Sequence, residues 1–398
     1  MQKPAAEPRL TVVSPFVDKR HGTERCLAEQ IERLAGEFEI HLYSERVEDI
    51  DLSKIIWHRV WLPGGPHLFR FVWWFFANRI HRSWDRVFRG FVPAAVYSPG
   101  INCLDADVMS VHVLFCNLRR QLKSDQSLAS NSLGQWPVTV HRRVYYRLIE
   151  SLERKVYGGG AAVLLPVSRR IADDIATAYG RSSNVQTIYY GVDTAVFSVE
   201  RRKSLRKSAR AALNLSDDVF AVLLIGNGWK NKGLSCLLEA ARQVQRAKLH
   251  LLIAGSDDQA AYRAVIKDLG LAGKVTFLPP RRDVEFFYAA TDAYAGPSLE
   301  DSFSLPCIEA MSCGLPVITS AAAGVSEIMH QGEDGLILQD PRDARTLAEW
   351  IQRLAVDVEW RHQLGQNAVR TAAAYSWNQN AEKLATVLHA VIASRKAS

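Results

Sequence analysis

Short runs of β-branched and aromatic residues alternate along the chain with stretches whose apolar positions recur at helical spacing. LTVVSPF (10–16) and FEIHLYS (38–44) predict strands. Between them TERCLAEQIERLAG (23–36) has apolar residues at helical spacing and a glycine stop, which predicts a helix. AVYSPG (95–100), DVMSVH (107–112), AAVLLPVS (161–168) and VQTIYYGVD (185–193) read as further strands, with RRIADDIATAYG as the helix between the last two. Strands alternating with helices imply a parallel, doubly wound α/β sheet. The pattern then restarts. RRKSLRKSARAALNL (201–215) is a basic, polar stretch, after which VFAVLLIGNG (219–228) opens a second α/β unit and LSCLLEAARQVQ continues it as a helix. LHLLIAG (249–255), KVTFLPP (274–280), DAYAGPS (292–298), PVITS (316–320) and GLIL (335–338) supply its remaining strands. YSWNQNAEKLATVLHAVIASRK closes the chain as an amphipathic helix. The restart puts the domain boundary near 194–200. Two such domains are expected to face each other across a cleft, with ligands at the carboxyl ends of the strands.

The length of 398 residues and a hydrophobic content of 48% suit two or three domains, each with its own core. The formal charge of +7 fits anionic small molecules or an acidic lipid surface. No aromatic-basic RNA signature and no zinc-finger spacing accompany it, so nucleic acid is not expected as a partner. None of the six cysteines forms a C-x-x-C pair, and they read as small buried hydrophobes in a reducing compartment. No signal-peptide core and no spanning-length apolar run is visible. The expected location is cytoplasmic, either soluble or at a membrane face.

One segment changes that picture. HLFRFVWWFFANRIHRSWDRVFRG (67–90) interleaves aromatic residues with Arg70, Arg79, Arg82, Arg86 and Arg89. A cationic face with aromatic anchors suits an anionic membrane interface, whereas an ordinary helix would turn those aromatics into a core.

The densest chemistry lies in GPSLEDSFSLPCIEAMSCGLPVITS (296–320). A strand here runs through a loop into a helix N-terminus, whose open N–H groups and partial positive charge suit a phosphate. Ser302 and Ser304 are small enough for close backbone approach. Glu309, in the first turns of the helix, could accept both hydroxyls of a vicinal diol such as a ribose. Glu300 or Asp301 could hold a second polyol. The plainer reading is a turn whose acids complement a helix dipole. GNGWKNKG (226–233) supplies Lys230 and Lys232 after another strand, and cations of this kind stabilise a departing diphosphate. His112 ends a predicted strand on the cleft side. The D-x-D of residues 105–107 imitates a metal motif, but three residues are a weak signal and Asp107 reads as the acid opening the strand to His112.

The 296–320 stretch looks like the donor-site signature of family 4 glycosyltransferases, which are retaining, sugar-nucleotide-dependent enzymes of GT-B architecture. Phe303 sets the register, making Asp301 the first acid and Glu309 the second. Asp301 stands where Glu is usual, and Ser302 and Ser304 where glycines are. IYYGVDTAVF (188–197), LLIGNGWKNKGLSCLLEAA (223–241), FLPPRRDVEFFYAATDAYAGPS (277–298), GVSEIM (324–329) and YSWNQNAEKL (375–384) resemble other parts of the family. The resemblance implies an acceptor-side domain (1–196), a donor-side domain (197–374) and a helix (375–398) crossing back to the first. It implies that Lys232 meets the diphosphate, with Lys230 standing in for an arginine usual where Asn227 is. By the same resemblance Asp301 contacts the sugar, Glu309 the ribose, and the backbone of Ser302, Phe303, Ser304 and Leu305 the phosphates. Arg281 falls near the base. His112 contacts the donor sugar, and Gly22 matches the second glycine of a Gly-Gly loop whose first position holds His21. The implied activity is transfer of a sugar, from a UDP-sugar by preference, to a hydroxyl acceptor in bacterial envelope glycolipid, polysaccharide or glycoside synthesis, on the inner face of the membrane. No metal or other cofactor is implied, since lysines and a helix terminus already supply positive charge. The rival readings are a sugar-nucleotide epimerase of the same architecture and a non-catalytic nucleotide-sugar-binding scaffold.

Overall fold

The computed structural model describes residues 7–20, 22–117 and 136–397. The chain divides into two compact units. One runs to Tyr189 and takes in the residues from Asn378 onward, and the other is Tyr190–Trp377.

The first unit contains β1 (Arg9–Val13), β2 (Phe16–Val17), β3 (Glu39–Ser44), β4 (Arg46–Val47), β5 (Ile56–Arg59), β6 (Ala95–Pro99), β7 (Val108–Val111) and β8 (Val163–Pro166). Its helices are α1 (Gly22–Leu34), α2 (His67–Phe88), α3 (Trp136–Gly159) and α4 (Arg169–Tyr179). The main sheet has the order β5-β3-β1-β6-β7-β8 and is parallel throughout, while β2 and β4 pair separately. β1 is buried from its second residue on, as expected of a central strand covered on both faces. Leu10, Val12, Leu27, Ile31 and Leu42 form a core with Leu384 and Leu388 of the last helix (Trp377–Ala397).

The second unit repeats the plan. Its strands β9 (Phe220–Ile225), β10 (Leu249–Ala254), β11 (Val275–Leu278), β12 (Ala293–Gly296), β13 (Val317–Ser320) and β14 (Leu336–Leu338) form a parallel sheet in the order β11-β10-β9-β12-β13-β14. Its helices are α5 (Val199–Ala212), α6 (Leu234–Gln243), α7 (Ala260–Asp268), α8 (Glu285–Ala290), α9 (Leu305–Ser312), α10 (Ala344–Val356) and α11 (Val358–Ala373). Val222, Leu224, Leu237, Leu251, Ile253 and Ile318 make its core.

One local expectation fails for an identifiable reason, and one stretch for which no element was predicted is a helix. Residues 185–193 are not a strand. Leu164 N–H donates to Asn184 O, and Gln186 and Ile188 donate to Leu164 O and Pro166 O, but Pro166 has no N–H to return, so the ladder stops at an isolated bridge. The basic stretch after residue 200 is helix α5. The Ser198 side chain caps it by accepting from Arg201 N–H. Arg206 pairs with Asp292 at 2.6 Å, and Arg210 donates to Ala290 O at 3.0 Å and Val219 O at 2.8 Å. Guanidinium groups dock this helix where an apolar stripe would be sought.

Candidate active site

In the second unit the sheet order reverses between β9 and β12, because β10 lies on the other side of β9. Loops at such a switch point diverge and leave a crevice at the carboxyl ends of the strands. The loop after β9 carries Asn227, Lys230 and Lys232, and the loop after β12 carries Asp301 to Ser304.

The β9 loop is pinned from both sides. Asp257 accepts the N–H groups of Gly228 at 2.9 Å and Trp229 at 3.1 Å, and Asn227 Oδ1 accepts Ser256 N–H at 3.0 Å. The fully buried Trp229 stacks on Phe277 at 4.9 Å. Asn231 Nδ2 donates to Glu300 O at 2.6 Å, and Leu299 N–H to Asn231 O at 2.7 Å, tying the two loops together. Gly233 takes φ +81°, and a Cβ there would sit 2.0 Å from Pro297 O, so this crossing requires glycine.

That scaffold brings Lys232 and Asp301 into contact, Nζ to Oδ2 at 2.5 Å, with side-chain exposures of 17% and 13%. Burial pulls the Lys232 ammonium toward neutrality, but the Asp301 carboxylate outweighs it and the pKa is raised. The Asp301 backbone is held by Ala322 O and Gly324 N–H, so the acid cannot drift from the cation. Lys230 is exposed nearby in sequence.

Beyond Asp301 the chain turns into α9. Ser302 is half-buried and Phe303 is fully buried against Tyr190, ring centroids 5.5 Å apart. Ser304 caps α9 at φ +80°, in the left-handed region, with no side-chain cap bond, and Leu305 opens the helix. A side-chain-bearing residue in this conformation is strained, and in the first turn Pro306 has no N–H while Cys307 N–H donates to Ser304 O at 3.1 Å. Glu309 lies 4% exposed within α9, and its Oε2 accepts the Tyr288 hydroxyl at 2.7 Å. Tyr288 escaped the sequence reading. It lies in the quoted FFYAATDAY run, but nothing local signals that its hydroxyl reaches across to another helix. Asn231 and Asp257 were missed for the same reason. Arg281 is exposed, paired with Asp283 at 2.6 Å and stacked over Phe286 at 4.0 Å.

Of the residues expected from the first unit, His112 follows β7 directly and is 6% exposed, and burial pushes its imidazole down to about 4. It is therefore neutral near pH 7. Gly22 is exposed at the first residue of α1, and His21 lies outside the described residues. The two acids of the D-x-D have structural partners. Asp105 makes a forked pair with Arg82 at 2.7 and 2.9 Å, and Asp107 accepts Val96 N–H at 2.7 Å and pairs with Arg395. Among the described residues, one set of metal-type donors has its ligand atoms within 4.8 Å of one another: His58, His81 and Asp85, in the first unit.

Residues 206–371, inside the second unit, match the family Glycosyl transferases group 1, so this unit carries a glycosyltransferase group 1 domain. Among curated proteins, the chain is 31% identical over 241 residues to the D-inositol 3-phosphate glycosyltransferase of Acidothermus cellulolyticus, covering 56% of this chain and 52% of that one. It is 29% identical over 254 residues to the enzyme of the same name from Thermobifida fusca, covering 58% and 57%. The matches thus span little more than half the length of these relatives. Among solved structures it resembles WaaG, a glycosyltransferase involved in lipopolysaccharide biosynthesis, with TM-score 0.78 and 17% identity over 95% of this chain and 99% of that one. It also resembles Anabaena HepE in complex with UDP-glucose, with TM-score 0.68 and 17% identity over 96% and 99%. At such identities the likeness is one of fold, and the fold is GT-B.

Proposed function

We propose that the chain is a retaining glycosyltransferase of family 4. It moves a sugar from a nucleoside diphosphate sugar, with uridine favoured, to a hydroxyl of a bacterial envelope glycolipid, polysaccharide or small glycoside. The Lys232–Asp301 contact across the switch point carries this reading. A cation and a carboxylate held side by side suit a diphosphate next to a hydroxyl-rich sugar. Lys232 meets the diphosphate, with Lys230 beside it, and stabilises the charge that grows as the nucleotide leaves. Asp301 accepts sugar hydroxyls. Glu309, fixed by Tyr288, accepts the ribose, and the first turn of α9 faces the phosphates. Arg281 lies toward the base. His112 acts as a neutral hydrogen-bonding group toward the sugar, and Gly22 lets backbone approach the phosphate or the acceptor. The UDP and UDP-glucose complexes of HepE support a uridine donor, and the WaaG likeness supports an envelope acceptor.

Thermal shifts with UDP-, GDP-, ADP- and TDP-sugars test the donor site. A uridine nucleotide at 100 times its Kd should stabilise the fold by about 2.7 kcal/mol, and Glu309→Ala should remove the shift. No shift with any nucleotide, or one that survives Glu309→Ala, overturns the assignment. The anomeric configuration of the product, read by NMR, tests retention.

We also propose that α2 rests on an anionic membrane surface. Its outward residues Phe76, Ile80, Trp84, Val87 and Phe88 are 55–72% exposed, and only Trp74 among its aromatics is fully covered. Among the described residues Arg79 and Arg86 have no ion pair, and with Arg82 and Arg395 they line a cavity of about 490 Å³, room for an acidic headgroup. No helix among the described residues is long and apolar enough to cross a membrane. Changing Arg79 and Arg86 to Ser should abolish sedimentation with anionic liposomes. Unchanged binding would sink the proposal.

A further inference from the structure

The inner face of α2 is polar where an ordinary amphipathic helix is apolar. Its buried residues are Trp74, Asn78 and Asp85, and His81 lies one turn before Asp85 on the same side. Opposite stands His58 of β5. Its Nδ1 is 3.1 Å from Asp85 Oδ2, and His81 Nε2 is 3.7 Å from that same oxygen. Asp85 is fully buried, and the His58 and His81 side chains are 10% and 31% exposed.

The hydrogen bonds behind His58 limit where its protons can sit. Glu39 Oε1 meets His41 Nε2 at 2.8 Å, and an ionised carboxylate only accepts, so His41 carries its proton on Nε2. With both imidazoles neutral, His41 offers Nδ1 as an acceptor. The contact from that Nδ1 to His58 Nε2, 2.9 Å, therefore needs the proton on His58 Nε2. That leaves a neutral His58 with a bare Nδ1 aimed at a carboxylate oxygen. At 3.1 Å these two atoms need a cation between them, either a proton, which makes one of the two imidazoles an imidazolium close to Arg89, or a metal ion. A carboxylate–histidine chain behind a ring nitrogen is also what orients a metal-bound imidazole. The Tyr43 hydroxyl donates to Asp85 Oδ2 at 2.7 Å and its ring stacks on His58, with centroids 4.3 Å apart, so both groups are held in place.

We infer that His58, His81 and Asp85 form a site for one divalent transition-metal ion, with a solvent-side position left open beside His81. Two imidazoles, one carboxylate and an open position match the donor set of zinc. Arg89 Nη1, 3.1 Å from Asp85 Oδ1 and 63% exposed at its side chain, is a cation that competes with a metal ion for the charge of the same carboxylate. The ion ties the edge strand β5 to α2.

The test uses the full chain, free of any affinity tag and stripped with EDTA, titrated with Zn²⁺ against a chromogenic chelator. One equivalent should bind and raise Tm. His81→Ala should weaken binding at least about tenfold while leaving the protein folded. His41→Gln should weaken it about 10- to 100-fold, the usual effect of losing a group that orients a ligand. Arg89→Gln should tighten it, which no merely structural role of Arg89 would do. Co²⁺ in place of zinc should give weak visible bands without a thiolate charge-transfer band. Failure of the stripped chain to take up zinc, equal uptake by His81→Ala, or a thiolate band placing the metal on a cysteine would each overturn the inference.

Discussion

The two units share one strand order, with the first strand beside the fourth and the crossovers running outward on either side. Their polar chemistry is distributed differently. In the second unit it is concentrated in two loops, residues 226–233 and 299–304, each contiguous in sequence and each following a strand at the switch point. In the first it gathers beneath α2 from β3, β5 and the helix itself, as Glu39, His41, Tyr43, His58, His81 and Asp85. The same framework thus supports a loop-built site in one copy and a side-chain network on a helix face in the other. Fold sets where loops open, and residues set what they do.

The largest effect expected on this contrast comes from removing the cation of the loop site. Lys232→Ala should lower the transfer rate by about 10²–10³, the usual loss of one group that stabilises developing charge. The fold should survive, because the β9 loop is held by Asp257, Asn231 and Gly233 rather than by the lysine. A rate within about threefold of the unaltered chain, on the scale of measurement against that expected loss, would remove Lys232 from the site.

His112 gives the matching probe in the first unit. Its folded pKa of about 4 lies below the ordinary histidine value of 6.5, so between those limits the unfolded chain binds the proton more readily. Stability should therefore fall as pH drops from 6.5 toward 4, with this residue contributing a loss on the order of 3 kcal/mol. Urea unfolding of the unaltered chain and of His112→Gln across that range isolates the contribution. Parallel stability curves would show that His112 is more hydrated than its 6% exposure indicates.

Asp301→Asn separates binding from transfer. The carboxylate now neutralises Lys232 at 2.5 Å, and a diphosphate must compete for the same ammonium. Removing the charge should tighten UDP about tenfold, the scale of one charge-assisted hydrogen bond released, while transfer falls because the sugar loses its acceptor. Weaker UDP binding in this variant would mean that Asp301 positions Lys232 rather than competing with the diphosphate.

The contrast also explains what the sequence disclosed. Most strands of the parallel sheets were legible because they are buried on both faces and read as apolar runs, whereas the edge strand β5 is largely exposed and was not predicted. The loop site was legible because its residues are neighbours in the chain and Phe303 set their register. Tyr288 and Asp257 were not, since each acts from another loop or helix at a distance no local pattern encodes. Helix α5 was hidden because arginines dock it, and residues 185–193 looked like a strand because the missing N–H of Pro166 matters only once the pairing partner is known. The network under α2 was invisible for a stronger reason. Its members come from segments with no shared motif, and the exposed aromatics of the same helix drew the reading outward, to the arginines, rather than inward, to Asp85.

The smallest effect concerns the loop site's own backbone. Ser304 sits at φ +80°, where the resemblance expects glycine. A left-handed conformation costs a side-chain-bearing residue about 1–2 kcal/mol. Glycine removes that cost but gives back about 0.5–1 kcal/mol through a more disordered unfolded chain. It also deletes a weak contact, Cys307 Sγ to Ser304 Oγ at 3.3 Å. Ser304→Gly should therefore stabilise the chain by up to about 1 kcal/mol, read as a shift in the urea midpoint at constant m. A clear loss of stability would show that the serine hydroxyl, rather than the turn it strains, holds the entrance to α9. The strain would then be the consequence of a required side chain, and the helix N-terminus would depend on a group that glycine cannot supply.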